Sequence, residues 1–569
     1  VRIERRSVPA VPLLQEAQLH PVLRRVYAAR GVRDSSELKL GLSGLLRPEL
    51  GGIDRAIDLL VRARSERQSI LVVGDFDADG ATGTAVALRG LRLLGFGHVG
   101  YRVPNRFLHG YGLSPALVDE LDPVPDLILT VDNGVAAHAG IAAAHARGTR
   151  VLVTDHHLPG DRVPDADALV NPNVPDCPFP SKALAGVGVV FYLLLALRAR
   201  LRSAGAFAGA DPDLGQLLDL VALGTVADLV PLDRNNRLLV QAGLNRIRAG
   251  RACAGVRALY RVAGRDPTRA SATDFGFVLG PRLNAAGRLE DMAIGIECLL
   301  ADDDGTAQTL AQRLQALNAE RRDLQQQMVE QAEAAVLRAD LSAQSHVAAG
   351  VALADDGWHA GVVGLVASKL KDRLHRPVFA LAPGDEHGRE WKGSGRSIPG
   401  FHLRDCLAEI DALHPGLLLR FGGHAMAAGL SLEDDKVERF CRVFAEAVER
   451  RIDPALLSPV VMSDGELAAE DFELGLAETL REAGPFGQAF PEPLFDNTFE
   501  VLDWRLMGER HLRFSLRHPD SRLPLSAVFF GGWNGSPPPR QVRAAYQLGC
   551  DDYRGAAELR LYLRHLQPG

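Results

Sequence analysis

The sequence predicts an α/β protein: a doubly wound domain with a parallel sheet, a long connecting helix, a smaller α/β domain and a C-terminal β-barrel. Three observations predict it. Between about residues 50 and 300, short apolar runs rich in β-branched residues alternate with helix-periodic stretches, the pattern of buried parallel strands joined by crossover helices. A polar stretch without proline follows. After about residue 460 the chain turns to short strands and turn residues.

Taken in order, residues 1–49 form an N-terminal segment expected to pack on the core of the first domain, residues 50–303. In that domain ILVV (Ile70–Val73), LILTV (Leu127–Val131) and VLVT (Val151–Thr154) read as buried strands. Pro115–Leu121 reads as a helix, with Ser114 as its N-cap and Pro115 in the first turn. From Asp304 to Leu341 the apolar positions Leu310, Leu314, Leu317, Leu324, Met328 and Ala335 recur close to every 3.5 residues, interrupted by Arg321 and Gln331. One helix bridging two domains is expected there, not a sustained coiled coil. Residues 342–457 make the smaller α/β region, with a helix near Val362–Leu374 and a strand at Val378–Leu381. Residues 458–569 carry strand patterns and the loop GSPPPR (Gly535–Arg540), which read as a small barrel. Within it HLRFSLRH puts Leu512, Phe514 and Leu516 on one face and Arg513, Ser515 and Arg517 on the other.

A length of 569 residues exceeds what one core serves, and 47% hydrophobic with 24% charged residues is an ordinary globular balance. The longest apolar run, Val187 to Leu197, is too short for a membrane span. The opening VRIERRSVPAVP has no continuous apolar stretch, so no secretory signal is expected. Six scattered cysteines without a CxxC pair argue against structural zinc or a disulfide framework and for a reducing, cytoplasmic setting. A net charge of −7 does not announce a nucleic-acid binder, but a local basic groove is enough to hold a phosphate backbone.

The first strand runs into GDFDADGATGT, which sets Asp75, Asp77 and Asp79 within five residues. On an extended segment alternate positions face one way, so the three carboxylates can converge, and converging like charges call for a cation. An EF-hand loop would need a preceding helix and a glutamate at its twelfth position; here a strand precedes. The second strand ends in VDNG with Asp132, the third in TDHH with Asp155, His156 and His157, and ALGTVADLVPL brings Asp228. Ligands of open α/β sheets bind beyond the carboxyl ends of the strands, so these groups are expected at one rim, around two cations.

These motifs resemble the DHH phosphoesterase superfamily, and the resemblance extends to RecJ-like exonucleases. PNRFLHGYGLS (Pro104–Ser114), GPRLNAAGRL (Gly280–Leu289), KGSGRS (Lys392–Ser397) and FGGHAMAAG (Phe421–Gly429) follow in that family's order; Phe76 stands where tyrosine is more usual. The resemblance implies Asp77, Asp79, Asp132, His156 and Asp228 as metal ligands. It implies His157 and Asp75 as catalytic residues, His157 orienting a ligand or the scissile phosphate. The mainly hard-oxygen set suits two Mn²⁺ or Mg²⁺ ions. The resemblance also implies a DHH-associated domain facing the metal site across a cleft, and an OB-fold for the barrel.

By the same resemblance Arg106, Arg282, Asn284 and Arg288 contact DNA. So do Lys392, Ser394, Arg396, Ser397 and His424, with the neighbouring glycines letting backbone amides approach phosphate. The implied activity is hydrolysis of single-stranded DNA from the 5′ end, in DNA repair and recombination. The implied partners are single-stranded DNA, a single-strand-binding protein and a helicase, with a monomeric, membrane-free enzyme. The alternative is a phosphodiesterase of the same superfamily acting on short oligonucleotides or cyclic dinucleotides; the long helix and barrel favour a polymer. A catalytically dead scaffold would have lost metal ligands that this chain retains, and a family II pyrophosphatase has no use for the barrel. Because the acids lie between Asp77 and Asp228, a chain ending near Arg451 is expected to keep its metal site and cleave short oligonucleotides.

Overall fold

Apolar, β-branched segments short enough to be strands and flanked by helices build the first sheet. Its strands are β1 (Ile70–Val73), β2 (Val99–Arg102), β3 (Leu127–Val131), β4 (Arg150–Thr154) and β5 (Ala168–Val170). All neighbours are parallel, in the order β2-β1-β3-β4-β5. The strand order reverses between β1 and β3, and such a switch point opens a crevice at the carboxyl ends. Every residue of β3 is buried, as a strand covered on both faces requires. Helices α1 (Ala78–Leu93), α2 (Gly186–Ser203) and α3 (Leu218–Ala227) are largely buried against this layer. The computed structural model describes residues 1–15, 18–105, 109–343, 348–384, 389–551 and 557–569, leaving aside the side chains of Gln15 and 337–343.

The chain divides into two compact units that do not follow the linear order of segments. One comprises Val1–Leu283, Gly295–Ala311 and Val460–Gly569; the other comprises Asn284–Ile294 and Gln312–Pro459. Helix α4 (Arg234–Arg248) lies in the first unit and α5 (Gly280–Leu289) passes from it into the second. The expected long helix is α6 (Asp304–Ala343), 40 residues, which likewise begins in the first unit and continues in the second.

In the second unit, β6 (Val351–Ala354), β7 (Val378–Pro383), β8 (Glu390–Arg396), β9 (Arg420–Gly423) and β10 (Ala427–Glu433) form a mixed sheet. Its order is β9-β10-β8-β7-β6. Two glycines of KGSGRS serve this sheet's packing. A Cβ on Gly395 would stand 2.4 Å from the Phe379 ring, and one on Gly393 would stand 2.9 Å from Leu430.

The C-terminal residues close a barrel of β11 (Phe495–Met507), β12 (His511–Arg517), β13 (Pro524–Phe529), β14 (Gln541–Asp551) and β15 (Glu558–Pro568), in the order β11-β12-β13-β15-β14. Leu512, Phe514 and Leu516 are buried inside it, as the alternation along β12 requires. This barrel is not an appended module. The N-terminal strand Arg2–Arg5 pairs in parallel with Val460–Ser463. Tyr27 Oη donates to the Ala483 carbonyl (2.9 Å), Arg30 Nε to that of Pro491 (2.7 Å), and the Leu232 amide to that of Gln488 (2.8 Å). The buried Arg237 guanidinium lies 4.2 Å above the Phe490 ring.

At the centre of this junction the buried Asp496 carboxylate accepts hydrogen bonds from Arg5 (2.9 Å), Arg543 (2.7 Å) and the Ser463 hydroxyl. Burial opposes its ionisation, but these donors outweigh it and hold its pKa at about 2. A depressed carboxylate pKa stabilises the fold above the unfolded value, and that stability fades as pH falls through the folded one. Asp496→Asn is expected to cost about 2–3 kcal/mol near neutral pH, less than a fully buried pair because both arginines reach solvent. Melting curves against pH check this: the gap between parent and variant should close as the pH drops from 3.8 towards 2. A gap that persists unchanged to pH 2 would refute the assignment.

Candidate metal centre

The three acids after β1 converge by a route other than strand alternation. The strand ends at Val73, and Asp77 caps α1: one carboxylate oxygen accepts from the amides of Asp79 and Gly80, each at 3.0 Å. Asp79 thus sits in the first helical turn, where the helix dipole favours negative charge. Gly80 is required by the tight turn, since a Cβ there would lie 2.5 Å from the Asp75 carbonyl oxygen. The buried Asp79 carboxylate is held by a second helix start, accepting from the amides of Gly186 (2.6 Å) and Val187 (2.9 Å) at the head of α2.

Asp132 follows β3 with φ 62°, a left-handed backbone that costs a non-glycine residue energy and concentrates at functional sites. Its carboxylate Oδ1 lies 3.1 Å from His156 Nε2, which is 3.5 Å from Asp228 Oδ2 and 3.9 Å from Asp79 Oδ2. Asp132 Oδ1 and His156 Nε2 are both buried without a hydrogen-bond partner. A buried, unsatisfied acceptor beside an unsatisfied imidazole is costly in a protein alone and is relieved by a cation bound to both. Asp228 is the C-cap of α3, so a helix end delivers it.

Among the described residues the potential ligand atoms fall into three overlapping groups, each within 4.8 Å: Asp75, Asp77 and Asp132; Asp132, His156 and His157; and Asp79, His156 and Asp228. All seven residues singled out in the sequence for metal binding or catalysis are thereby brought together, and Asp132 and His156 are each shared by two groups. The electrostatics agree with a cation site. Burial, then the charge of Asp77, raises the Asp79 pKa to about 7. Burial and neighbouring carboxylates push Asp132 and Asp228 well above the usual range. Burial, then His157, lowers His156 to about 4, which keeps its imidazole neutral and able to ligate.

Asp155 has a different task from its neighbours. One oxygen accepts from His157 Nδ1 (2.8 Å) and from the amides of His156 and His157; the other accepts from Val135 N (2.8 Å). It fixes the turn and the imidazole. Burial disfavours a charged His157, but its bond to Asp155 outweighs burial and the pKa rises. Sequence reasoning missed several supports. Asn171 donates to the His157 carbonyl (2.8 Å) and Asn173 to that of His156 (2.6 Å). Tyr111 Oη donates to the Asp132 carbonyl (3.1 Å), and its ring meets His157 and Phe76 edge-on. The only signal for the asparagines was an NPN run directly after an apolar strand.

The expected DNA contacts are placed unevenly. Arg106 lies outside the described residues. Arg282 is buried, its Nη1 donating to the Val278 carbonyl (2.6 Å). Asn284 is half-buried on α5, and Arg288 Nη1 donates to the Gly361 carbonyl (3.1 Å). Lys392, Ser394 and Arg396 share one face of β8. Arg396 donates to Ser394 Oγ (3.0 Å) and, among the described residues, has no carboxylate partner; burial lowers its pKa. Ser397 is buried, its hydroxyl donating to the Phe401 carbonyl (2.8 Å). His424 is exposed on the β9–β10 hairpin. A cavity of about 740 Å³, lined by Arg248, Arg265, Arg269, Glu492 and Tyr562 among others, contains none of the metal-centre residues.

Comparison with known proteins places these features in context. Three family models match: the DHH family, N-terminal domain, over residues 69–225; the DHHA1 domain over residues 344–450; and the RecJ OB domain over residues 463–565. The chain is 51% identical over 564 residues to the single-stranded-DNA-specific exonuclease RecJ of Salmonella typhimurium, covering 97% of this chain and 96% of that protein. It is 49% identical over 580 residues to the Escherichia coli protein of the same name, covering 100% and 99%. Among solved structures, RecJ from Thermus thermophilus in complex with Mn²⁺ superposes with a TM-score of 0.82 at 31% identity, covering 100% of this chain and 80% of that one. No described helix is long and apolar enough to cross a membrane.

Proposed function

Because the chain belongs to the RecJ family of single-stranded-DNA-specific exonucleases, we propose that it hydrolyses the phosphodiester bonds of single-stranded DNA with divalent cations, in DNA repair. The observation that carries this reading is the meeting of seven acid and imidazole side chains, in three groups sharing Asp132 and His156, at the sheet's switch point. Asp77, Asp79, Asp132, His156 and Asp228 would hold two Mn²⁺ or Mg²⁺ ions, with Asp75 and His157 beside them. Cations bound there supply Lewis-acid charge and a water acidic enough to attack at neutral pH.

The chain's own residues supply position. The amides of Gly186 and Val187 fix the Asp79 carboxylate. Asp155 holds His157 by Nδ1, which leaves Nε2 as the nitrogen to meet a phosphoryl oxygen. The half-buried Arg396, without a carboxylate partner among the described residues, supports anion contact by the Lys392, Ser394 and Arg396 face. Contacts by Arg106, Arg282, Asn284, Arg288 and His424 belong to the same proposal. So do 5′-to-3′ polarity, a monomeric enzyme that works with a single-strand-binding protein and a helicase, and a cytoplasmic setting, the last supported by six unpaired cysteines.

One assay tests activity and direction together. With Mn²⁺, 5′-labelled single-stranded DNA is expected to release labelled mononucleotide at once, 3′-labelled DNA to shorten gradually, and blunt duplex to persist. Immediate mononucleotide release from the 3′ label would reverse the polarity. An intact long strand alongside cleaved dinucleotide would replace the exonuclease by the short-substrate enzyme.

A further inference from the structure

Exposed large apolar side chains stand beside the acids and imidazoles of the metal centre. Leu158 directly follows His157 and is 65% exposed; Leu229 directly follows Asp228 and is also 65% exposed. Phe277, at 75%, is the most exposed large apolar residue described. Isolated exposed leucines are ordinary on a protein surface, but Leu229 has a strained backbone and Phe277 stands on a rare helical turn.

Leu229 has φ 62° immediately after the C-cap of α3. Helices commonly end there in the left-handed conformation, and the residue is usually glycine; a γ-branched side chain in that backbone is strained. Phe277 stands on a π-helical turn, Phe275–Leu279, a rare geometry that is frequent at functional sites. Phe275, Val278 and Leu279 are buried and pin the turn. Gly276 and Gly280 seat it on α3: their missing side chains face Val226 Cγ1 at 3.7 Å and Ala227 Cβ at 3.1 Å, the two residues before Asp228. The phenyl ring is thus presented to solvent on a rigid support that packs against the helix end carrying a candidate metal ligand.

We propose that Leu158, Leu229 and Phe277 form an apolar rim that receives the unstacked base faces of the strand being cut, with Phe277 as a stacking platform. This rests on the single-strand exonuclease reading and explains its selectivity. Every base has an apolar face, so the rim accepts any sequence. A duplex keeps those faces stacked and paired, and exposing them costs unstacking energy. The phosphates go to the charged floor and the bases to the apolar rim, which is the division of surface that a single strand offers.

The test uses the full chain with Mn²⁺ and oligothymidylates carrying one abasic tetrahydrofuran residue at successive positions from the 5′ end. The parent is expected to lose roughly tenfold to a hundredfold in kcat/KM when the missing base is the one that stacks, and little elsewhere. Phe277→Ala should raise KM on the intact strand and flatten that positional profile, whereas Phe277→Trp should keep it. Titration with Mn²⁺ alone verifies that each variant retains its metal centre. A parent that cuts the intact strand but is indifferent to every abasic position overturns the rim, even if no variant folds. A Phe277→Ala profile matching the parent's overturns the platform. Failure of the parent to cut any intact strand removes the exonuclease reading, and the rim with it.

Discussion

Asp132→Asn is expected to lower the rate of strand hydrolysis by at least about a thousandfold, since losing a bound cation removes several kcal/mol of transition-state stabilisation. Asparagine keeps the shape and tolerates the left-handed backbone at this position, so the loss reports charge and not collapse. A second effect has the opposite sign. Without cations Asp132 is a buried acid crowded by other carboxylates, with burial and Asp79 pushing its pKa up, and removing that charge relieves the site. In a chelator the variant should therefore melt no lower than the parent, while the rise in Tm that Mn²⁺ gives the parent should shrink or vanish. Affinity for single-stranded DNA, measured with Ca²⁺, should change by less than tenfold. Activity within tenfold of the parent, or an undiminished Mn²⁺ stabilisation, would remove Asp132 from the metal centre.

Ending the chain near Arg451 is expected to abolish activity by preventing the first unit from folding. The sequence alone suggested the reverse, a separable barrel. Truncation would strip the partner strand from Arg2–Arg5, expose the buried Leu232, and leave Arg30 and Arg237 without Asp464 and the Phe490 ring. Uncompensated buried cations each cost several kcal/mol, against a total stability of about 5–15 kcal/mol. Soluble yield, circular dichroism and a melting curve of the fragment measure this. A cooperatively folding fragment that cuts short oligonucleotides with Mn²⁺ would reinstate the separable barrel. Whether the barrel contacts DNA is better probed by substitutions on the outer face of β12 than by deletion.

The sequence disclosed what depends on local pattern and failed where folding joins distant segments. The strands β1, β3 and β4, the long helix and the barrel were legible because periodicity and turn residues are written in contiguous residues. That the seven candidate residues would meet was legible because acids after apolar strands have one natural meeting place, although a helix end delivers Asp228. The route was misread at Asp77 and Asp79, where a helix cap replaces strand alternation. The packing role of KGSGRS was not legible for a similar reason: its glycines make room for Phe379 and Leu430, neighbours that no local window contains. The amides of Gly186 and Val187 lie more than a hundred residues from Asp79, and the pairing of Arg2–Arg5 with Val460–Ser463 spans most of the chain.

That last pairing has a consequence for how the protein is made. A ribosome adds about 5–20 residues per second, so the N-terminal strand waits roughly half a minute to a minute and a half for its partner. During that interval the acids of the metal centre have already been synthesised, but the unit that houses them lacks its closing strand and barrel. A product of interrupted translation therefore carries every candidate cation ligand yet lacks the architecture to hold them in place. If the fragment ending near Arg451 fails to fold as expected, nuclease activity arrives only after the residues that pair with Arg2–Arg5 have been made.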